Sequence, residues 1–290
     1  MKRKPSLFTA LILAISLILP FVPAADVSAE SGLVLASGGD TEYTIVIGEN
    51  ASPVEVSAAD ILVSYLERIT SAEFPVISDS EPESAKEIAV GITNREASSP
   101  VDREEMGDDG VRIFTSGEKL FLTGGEKRGA LYAVYTFLEE YLGCRWFTKS
   151  IPLTPDMDDL TVVPEAETLS VGEIDYKYVP PFVLRQTYWM FSTMYADYSS
   201  IHRLHGMMAG IPEELGGNNP ENSVNAVHTM QWIITADMFA EHPEYFGCDD
   251  SGARTVNRQP CFSNEDVFRI TLEAAKNHCA SQKSIFSVSQ

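Results

Sequence analysis

The sequence predicts a chain of two habits: an α+β sandwich over residues 30–150, then parallel βα units over 178–290. Three observations predict it. The first half mixes short β-branched runs with two long amphipathic helical patterns. The second half alternates short apolar runs with helical patterns. Between them, Pro152, Pro155 and Pro164 and five acidic residues from Asp156 to Glu167 read as an extended, solvated connection over 151–177. At 290 residues, 44% apolar and 10% aromatic, the chain is long enough for two globular domains with real cores.

The N-terminus is set apart. Lys2, Arg3 and Lys4 precede the apolar run Leu7–Leu19, Pro20 and Pro23 break it, and Val27-Ser28-Ala29 has the small residues a signal peptidase reads. Residues 1–29 therefore read as a secretory signal peptide, too short in its apolar run for the roughly 20 residues of a spanning helix. The expected location is secreted, periplasmic or cell-surface, with no membrane insertion after cleavage. Removing Lys2, Arg3, Lys4 and Asp26 from 21 basic and 42 acidic residues leaves 18 and 41, a net charge of −23. Such a surface repels phosphate backbones, so nucleic acid is not expected as a partner.

Cys144, Cys248, Cys261 and Cys279 form no C-x-x-C and fit no zinc spacing. Cys248 and Cys261 bracket a turn-rich stretch; a disulfide and two free thiols both stay open. His202 and His205 are an i,i+3 pair on a helical pattern without a third ligand. No metal and no cofactor is expected, and no G-x-S-x-G, G-x-G-x-x-G or phosphate loop occurs.

The first domain is read in order. Tyr43–Gly48 is a strand. Ser52, Pro53 and Glu55 make a capping box with proline at the first helical position, and Ala58, Ile61, Leu62, Tyr65, Leu66 and Ile69 share one helical face. "FPVIS" and "EIAVGI" are two more strands. "GVRIFTSGEKLFLTGG" is a hairpin turning at Ser116-Gly117-Glu118, with Val111, Ile113, Leu120 and Leu122 as the alternating apolar set. A second helix is expected from about Arg128 to Leu142, ended by Gly143. Helices on one face of a sheet complete the sandwich.

The run "GDDGVRIFTSGEKLFLTGGEKRGALYAVYTFLEEYLGCRWF", Gly107 to Phe147, resembles the N-terminal domain of family 67 α-glucuronidases. The second domain of family 20 β-hexosaminidases has the same order, a hairpin and then Gly-Ala-Leu-Tyr opening a helix. In those enzymes the domain is a non-catalytic companion of a (β/α)8 barrel, and the resemblance implies the same here.

In the second half, Pro181–Trp189 reads as a strand and is followed by a helix carrying Ile201, Leu204, Met207 and Met208. Asn225–Met230 is a second strand. Ser263 caps a helix with Val267, Ile270 and Ala274 on one stripe, and Ser284–Ser287 is a third strand. A (β/α)8 barrel takes about 250 residues, whereas Tyr178 to Gln290 is 113. The expectation is the first part of such a barrel, truncated, in the N-terminal portion of a longer product. A complete open α/β domain is the alternative, at the cost of an apolar edge at 284–287. "HPEYFGCDDSGARTVNRQPCFSNEDV", His242 to Val267, resembles an uncharacterised bacterial family of exported proteins joining an α-glucuronidase-like domain to a glycosidase-like barrel. Its His-Thr, His-Pro-Glu-Tyr-Phe and Gln-x-Cys features stand at His228-Thr229, His242–Phe246 and Gln259–Cys261, and Pro260 departs from it.

Strand ends select the candidate substrate-binding residues: Arg185 and Trp189 after the first strand, His228 and Thr229 after the second, with Gln259 weaker. Arg185 can grip hydroxyls or a carboxylate with its planar fork, or it can be a structural ion pair. Trp189 can stack on a sugar or fill a core, and His228 can bond a hydroxyl or sit satisfied in a core. Glycoside hydrolysis needs two carboxylates, and no acid stands at the end of an expected strand, Glu244 included, so the catalytic residues stay unknown. The resemblance implies an exported glycoside hydrolase-like protein with carbohydrate as partner; a non-catalytic carbohydrate-binding surface protein is the alternative.

Overall fold

The computed structural model describes residues 32–149, 159–206, 210–217, 229–281 and 286–288. The signal-peptide reading, His228 and most of the expected second strand lie outside the described residues.

The first domain is a six-stranded mixed sheet. Its strands are β2 (Thr44–Ile47), β3 (Val76–Ser78), β4 (Glu87–Val90), β5 (Val111–Ser116), β6 (Lys119–Gly124) and β10 (Asp175–Tyr178), in the order β10-β5-β6-β4-β2-β3. Strands β3, β2, β4 and β6 run parallel to one another, and β5 runs antiparallel to both its neighbours, β6 and β10. The hairpin β5–β6 closes with Ser116 opposite Lys119, which leaves Gly117-Glu118 as a two-residue loop.

Helix α1 (Pro53–Thr70) begins with the expected box: the Ser52 hydroxyl accepts from the Glu55 N–H at 3.3 Å, and the Glu55 carboxylate accepts from the Ser52 N–H at 2.8 Å. The second oxygen of Glu55 accepts from the Ile92 N–H at 2.6 Å, tying the helix start to the end of β4. A single-turn helix α2 (Arg103–Met106) precedes the hairpin. Helix α3 (Gly129–Thr136) is buried on every side and passes into a wider turn over Phe137–Tyr141. The helix expected to run regularly from Arg128 to Leu142 thus starts one residue later and ends as a π-type turn, a distortion common near functional sites. Both long helices pack on one face of the sheet, in a core that includes Leu62, Leu66, Ile88, Ile113, Leu131 and Leu138. On the other face Phe114 and Phe121 stack with centroids 4.5 Å apart.

The stretch read as a solvated connection is instead partnered. β8 (Leu160–Val162) pairs with β7 (Arg145–Thr148), β9 (Thr168–Val171) pairs with β1 (Leu33–Ser37), and β10 adds to the sheet at β5. Their alternation is short and interrupted by Pro164, so the pattern looks like a linker. The partners stand 131 to 138 residues away for β9 and 61 to 67 for β10, and 12 to 17 for β8. Five strands of the observed sheets, β1, β7, β8, β9 and β10, were not expected.

Beyond β10 the expected βα alternation is not observed among the described residues. Pro181–Trp189 is irregular; Pro180 and Pro181 cannot donate to a ladder, and Arg185 bonds to loops of the first domain instead. The expected helix after it is two short pieces, α4 (Met190–Met194) and α5 (Ala196–Ile201), broken at Tyr195. Met230 opens a short helix, α6 (Met230–Ile233), rather than closing a strand, and Phe286–Val288 is not a strand. Helix α7 (Glu265–Ser281) is present, capped by Asn264 rather than Ser263: the Asn264 amide oxygen accepts from the N–H groups of Asp266 at 2.8 Å and Val267 at 3.2 Å. Met230, Ile234, Tyr245, Phe246 and Val267 make a small separate core. Among its described residues the second half is therefore a set of irregular segments and short helices with one long helix, and no barrel is observed among them. No helix among the described residues is long and apolar enough to cross a membrane.

Candidate functional site

The site forms where the segment after β10 folds back on the first domain. Three glycines set it up. A Cβ on Gly124 would lie 2.0 Å from the Gly110 carbonyl, and one on Gly129 would lie 2.4 Å from the Gly124 carbonyl carbon. Without side chains there, the 107–110 loop can pass under the start of α3. The Arg128 N–H donates to the Asp108 carbonyl at 2.9 Å, which brings Asp109 against the Arg128 side chain.

Asp109 is the centre of a buried polar cluster. Its Oδ1 accepts from Arg128 Nη1 at 2.7 Å, and its Oδ2 accepts from Arg185 Nη2 at 2.7 Å and from His205 Nε2 at 3.0 Å. Arg128 is 1% exposed and His205 is 3% exposed, so neither group has water to fall back on. Arg128 Nη2 also donates to the Gly217 carbonyl at 3.0 Å. Gly216, at φ +99, covers the stem of Arg128 so closely that a Cβ would meet it at 2.5 Å. The His205 Nδ1 accepts from the Arg185 backbone N–H at 3.1 Å, while the His205 backbone N–H donates to the Arg185 carbonyl at 2.7 Å. With Nδ1 accepting, the ring proton sits on Nε2 and points at Asp109. Burial alone would raise the Asp109 carboxyl; the hydrogen bond from His205 and the charges of Arg128 and Arg185 outweigh it and hold the group well below the usual carboxylate range.

Beside this cluster lies a cleft of about 620 Å³. Its walls carry Tyr132 and Tyr141 from α3 and its terminal turn, and Tyr176 and Tyr178 from the edge strand β10, two residues apart and so on one face. Tyr141 and Tyr178 are the exposed pair, at 38% and 46%. Burial pushes the Tyr132 phenol up to about 12 and raises Tyr141 and Tyr176 as well. Asp109, Thr136, Glu140, Arg185, His202 and Arg203 make the rest of the polar lining. Arg203 has φ +56, uncommon for a residue with a side chain. In that conformation its carbonyl accepts from Arg185 Nε at 3.0 Å, while its own guanidinium pairs with Glu139 and donates to the Ile201 carbonyl at 2.8 Å.

The residues selected from the sequence are not brought together. Arg185 reaches the cleft, but its fork is committed: Nη2 to Asp109, Nε to Arg203 and Nη1 to the Phe182 carbonyl at 2.8 Å. Trp189 is 55% exposed, edge-on to Phe191 at 5.4 Å, and does not line the cleft. Thr229 is buried and donates to the Ser287 carbonyl at 2.9 Å. Gln259 is exposed and uses its carbonyl to accept from Gly247 at 2.9 Å. His202 and His205 lie past the end of α5 and diverge. His202 faces the carbonyls of Tyr198 and Trp146, at 2.8 and 3.1 Å, while His205 faces Asp109. Glu244 is paired with His242 at 3.0 Å. Its carboxyl is lowered, first by its own backbone N–H and then by His242, so it is ionised rather than poised to donate. Cys248 and Cys261 are free thiols. The sequence reading missed Asp109, Arg128 and the four tyrosines. The available signals were "GDDG" and "EKRG" inside the glucuronidase-like run and the "YKY" alternation at 176–178.

A family model described as a domain of unknown function, DUF4838, matches residues 156–290. Among curated proteins none matches the chain. Among solved structures, the chain is similar to a family GH115 4-O-methyl-α-glucuronidase with specificity for decorated arabinogalactans. The identity is 17% over 53% of this chain and 19% of that one, with a TM-score of 0.36. It is similar to the GH20 β-N-acetylhexosaminidase of Streptomyces coelicolor A3(2), at 13% identity over 88% of this chain and 55% of that one, TM-score 0.37. A Streptomyces plicatus β-hexosaminidase gives 13%, 88%, 55% and 0.35. The chain thus spans about half the length of these hexosaminidases and a fifth of the glucuronidase. Likenesses at these TM-scores do not establish a shared fold, and the activities named belong to those proteins. The match that stands in sequence is the DUF4838 domain, over 156–290.

Proposed function

We propose that this chain is an exported, glycoside hydrolase-like protein that binds polysaccharide or oligosaccharide, with the tyrosine-lined cleft as a saccharide site. The observation that carries the reading is the cleft itself: four phenols and a few polar groups around about 620 Å³, the size and mixed character of a small-ligand site. Tyrosine offers a ring face to the C–H face of a sugar and a hydroxyl to its oxygens. The likeness of Gly107–Phe147 to family 67 α-glucuronidases and of His242–Val267 to an exported glycosidase-like family supports the same reading. The basic and apolar leader pattern at residues 2–19 supports export.

Hydrolysis needs one carboxyl able to give a proton and a second carboxylate. Asp109 is held ionised by its partners, and Glu140 is the one other acid lining the cleft. Asp109 and Glu140 therefore do not make such a pair, and the catalytic residues stay unassigned. A non-catalytic carbohydrate-binding surface protein is the second reading, favoured by the same locked Asp109. Titration calorimetry of the purified chain against a broad oligosaccharide panel, with sugar release measured in parallel, tests both. Binding is expected under either reading, and turnover separates them. If no saccharide binds, both are wrong.

A further inference from the structure

We infer that the cleft selects an uncharged saccharide and rejects a uronate. The inference rests on the saccharide reading above and deepens it. A carboxylate ligand is held by a free, planar guanidinium fork. Among the described residues the cleft offers none. Arg185 donates to Asp109 and to the carbonyls of Arg203 and Phe182; Arg203 is taken up by Glu139 and the Ile201 carbonyl. Arg128 lies behind the wall, 1% exposed and bonded to Asp109 and Gly217.

The charges around the cleft cancel. Arg128, Arg185 and Arg203 stand against Asp109, Glu139 and Glu140, and Glu140 is exposed with no ion-pair partner among the described residues. The accessible member of that balance is the Glu140 carboxylate: Arg128 and Arg185 share Asp109 alone, and their one excess positive charge stays in the mostly buried cluster, in a chain of net charge −21. The Glu140 carboxylate repels a second carboxylate and accepts hydrogen bonds from hydroxyls. Tyr141 and Tyr178, the exposed rings of the cleft, offer it faces on which a pyranose can stack.

The test uses the purified chain and three probes titrated by calorimetry: neutral cello-, xylo- and galacto-oligosaccharides, oligogalacturonides, and fully deacetylated glucosamine oligomers. A neutral member is expected to bind at least about tenfold more tightly than the uronates. Tyr178→Ala and Tyr141→Ala should each weaken it by about tenfold, the scale of one aromatic contact, with an unchanged circular dichroism spectrum. Glu140→Gln is expected to narrow the gap between neutral and uronate probes. Uronates binding as tightly as neutral sugars would leave the saccharide reading standing and overturn the selectivity; so would tighter binding of the cationic glucosamine oligomers. Neutral binding untouched by both tyrosine variants would overturn this cleft as its place. No binding of any probe would remove the saccharide reading, and this inference with it.

Discussion

Two helices of almost equal length show how differently the two halves of this molecule are built. Helix α1 has 18 residues and buries seven, among them Leu62, Leu66 and Ile69. Helix α7 has 17 residues and buries one, Val267, while Phe268 and Leu272 stand 58% and 40% exposed. Both read as amphipathic in sequence. An apolar stripe states which face a helix would bury; it does not supply the surface to bury it against. In the first domain that surface is a six-stranded sheet. Around α7 it is, among the described residues, the four buried side chains of Met230, Ile234, Tyr245 and Phe246.

Between the two regions stands the Asp109 cluster, and the largest expected effect lies there. Asp109→Ala should destabilise by roughly 3–5 kcal/mol, because Arg128 stays buried without its counter-ion. Urea unfolding measures it; a cost within that of an exposed substitution would mean the cluster does not hold the halves together. The same carboxylate sets a pH dependence. Its folded pKa is depressed, so its contribution is complete above the ordinary value of 3.8 and is lost as pH falls below it. Wild-type stability should therefore fall more steeply below about pH 4 than that of Asp109→Asn, in parallel unfolding curves.

The next prediction breaks or confirms the helix comparison directly. Leu62→Ala, at a position with no exposure, should cost roughly 2–5 kcal/mol. Leu272→Ala on α7 should stay within about 0.5 kcal/mol. Equal costs in chemical denaturation would show that α7 is covered in solution. Smaller, Ser52→Ala should cost about 1 kcal/mol through loss of the capping box, visible as a lower unfolding midpoint. Smallest, Phe268→Ser should leave the midpoint unchanged within the effect of an ordinary surface substitution.

Local chemistry was legible wherever the partners are near in sequence. The Ser52–Glu55 box, the hairpin around Gly117-Glu118 and the long helix after residue 264 need contacts no more than a few residues away. The cleft was not legible for the opposite reason. Asp109 meets His205 across 96 residues and Arg185 across 76. Arg185 was singled out as a candidate for gripping a ligand; it pairs with Asp109, and its strand was misread. "PFVL" is apolar enough for a strand, but the paired prolines and the pull of Asp109 place it in an irregular segment.

By itself, the sequence determined the start of α1 and the hairpin, because caps, turns and periodicity act within a turn or two of the chain. Tertiary structure decided three matters: that 160–178 returns as strands, that α7 stays mostly uncovered, and that Arg185 faces a carboxylate inside the protein. Each depends on which distant backbone or charge is nearest once the chain is compact, and pairing energy of that kind leaves no periodic trace in the residues that share it.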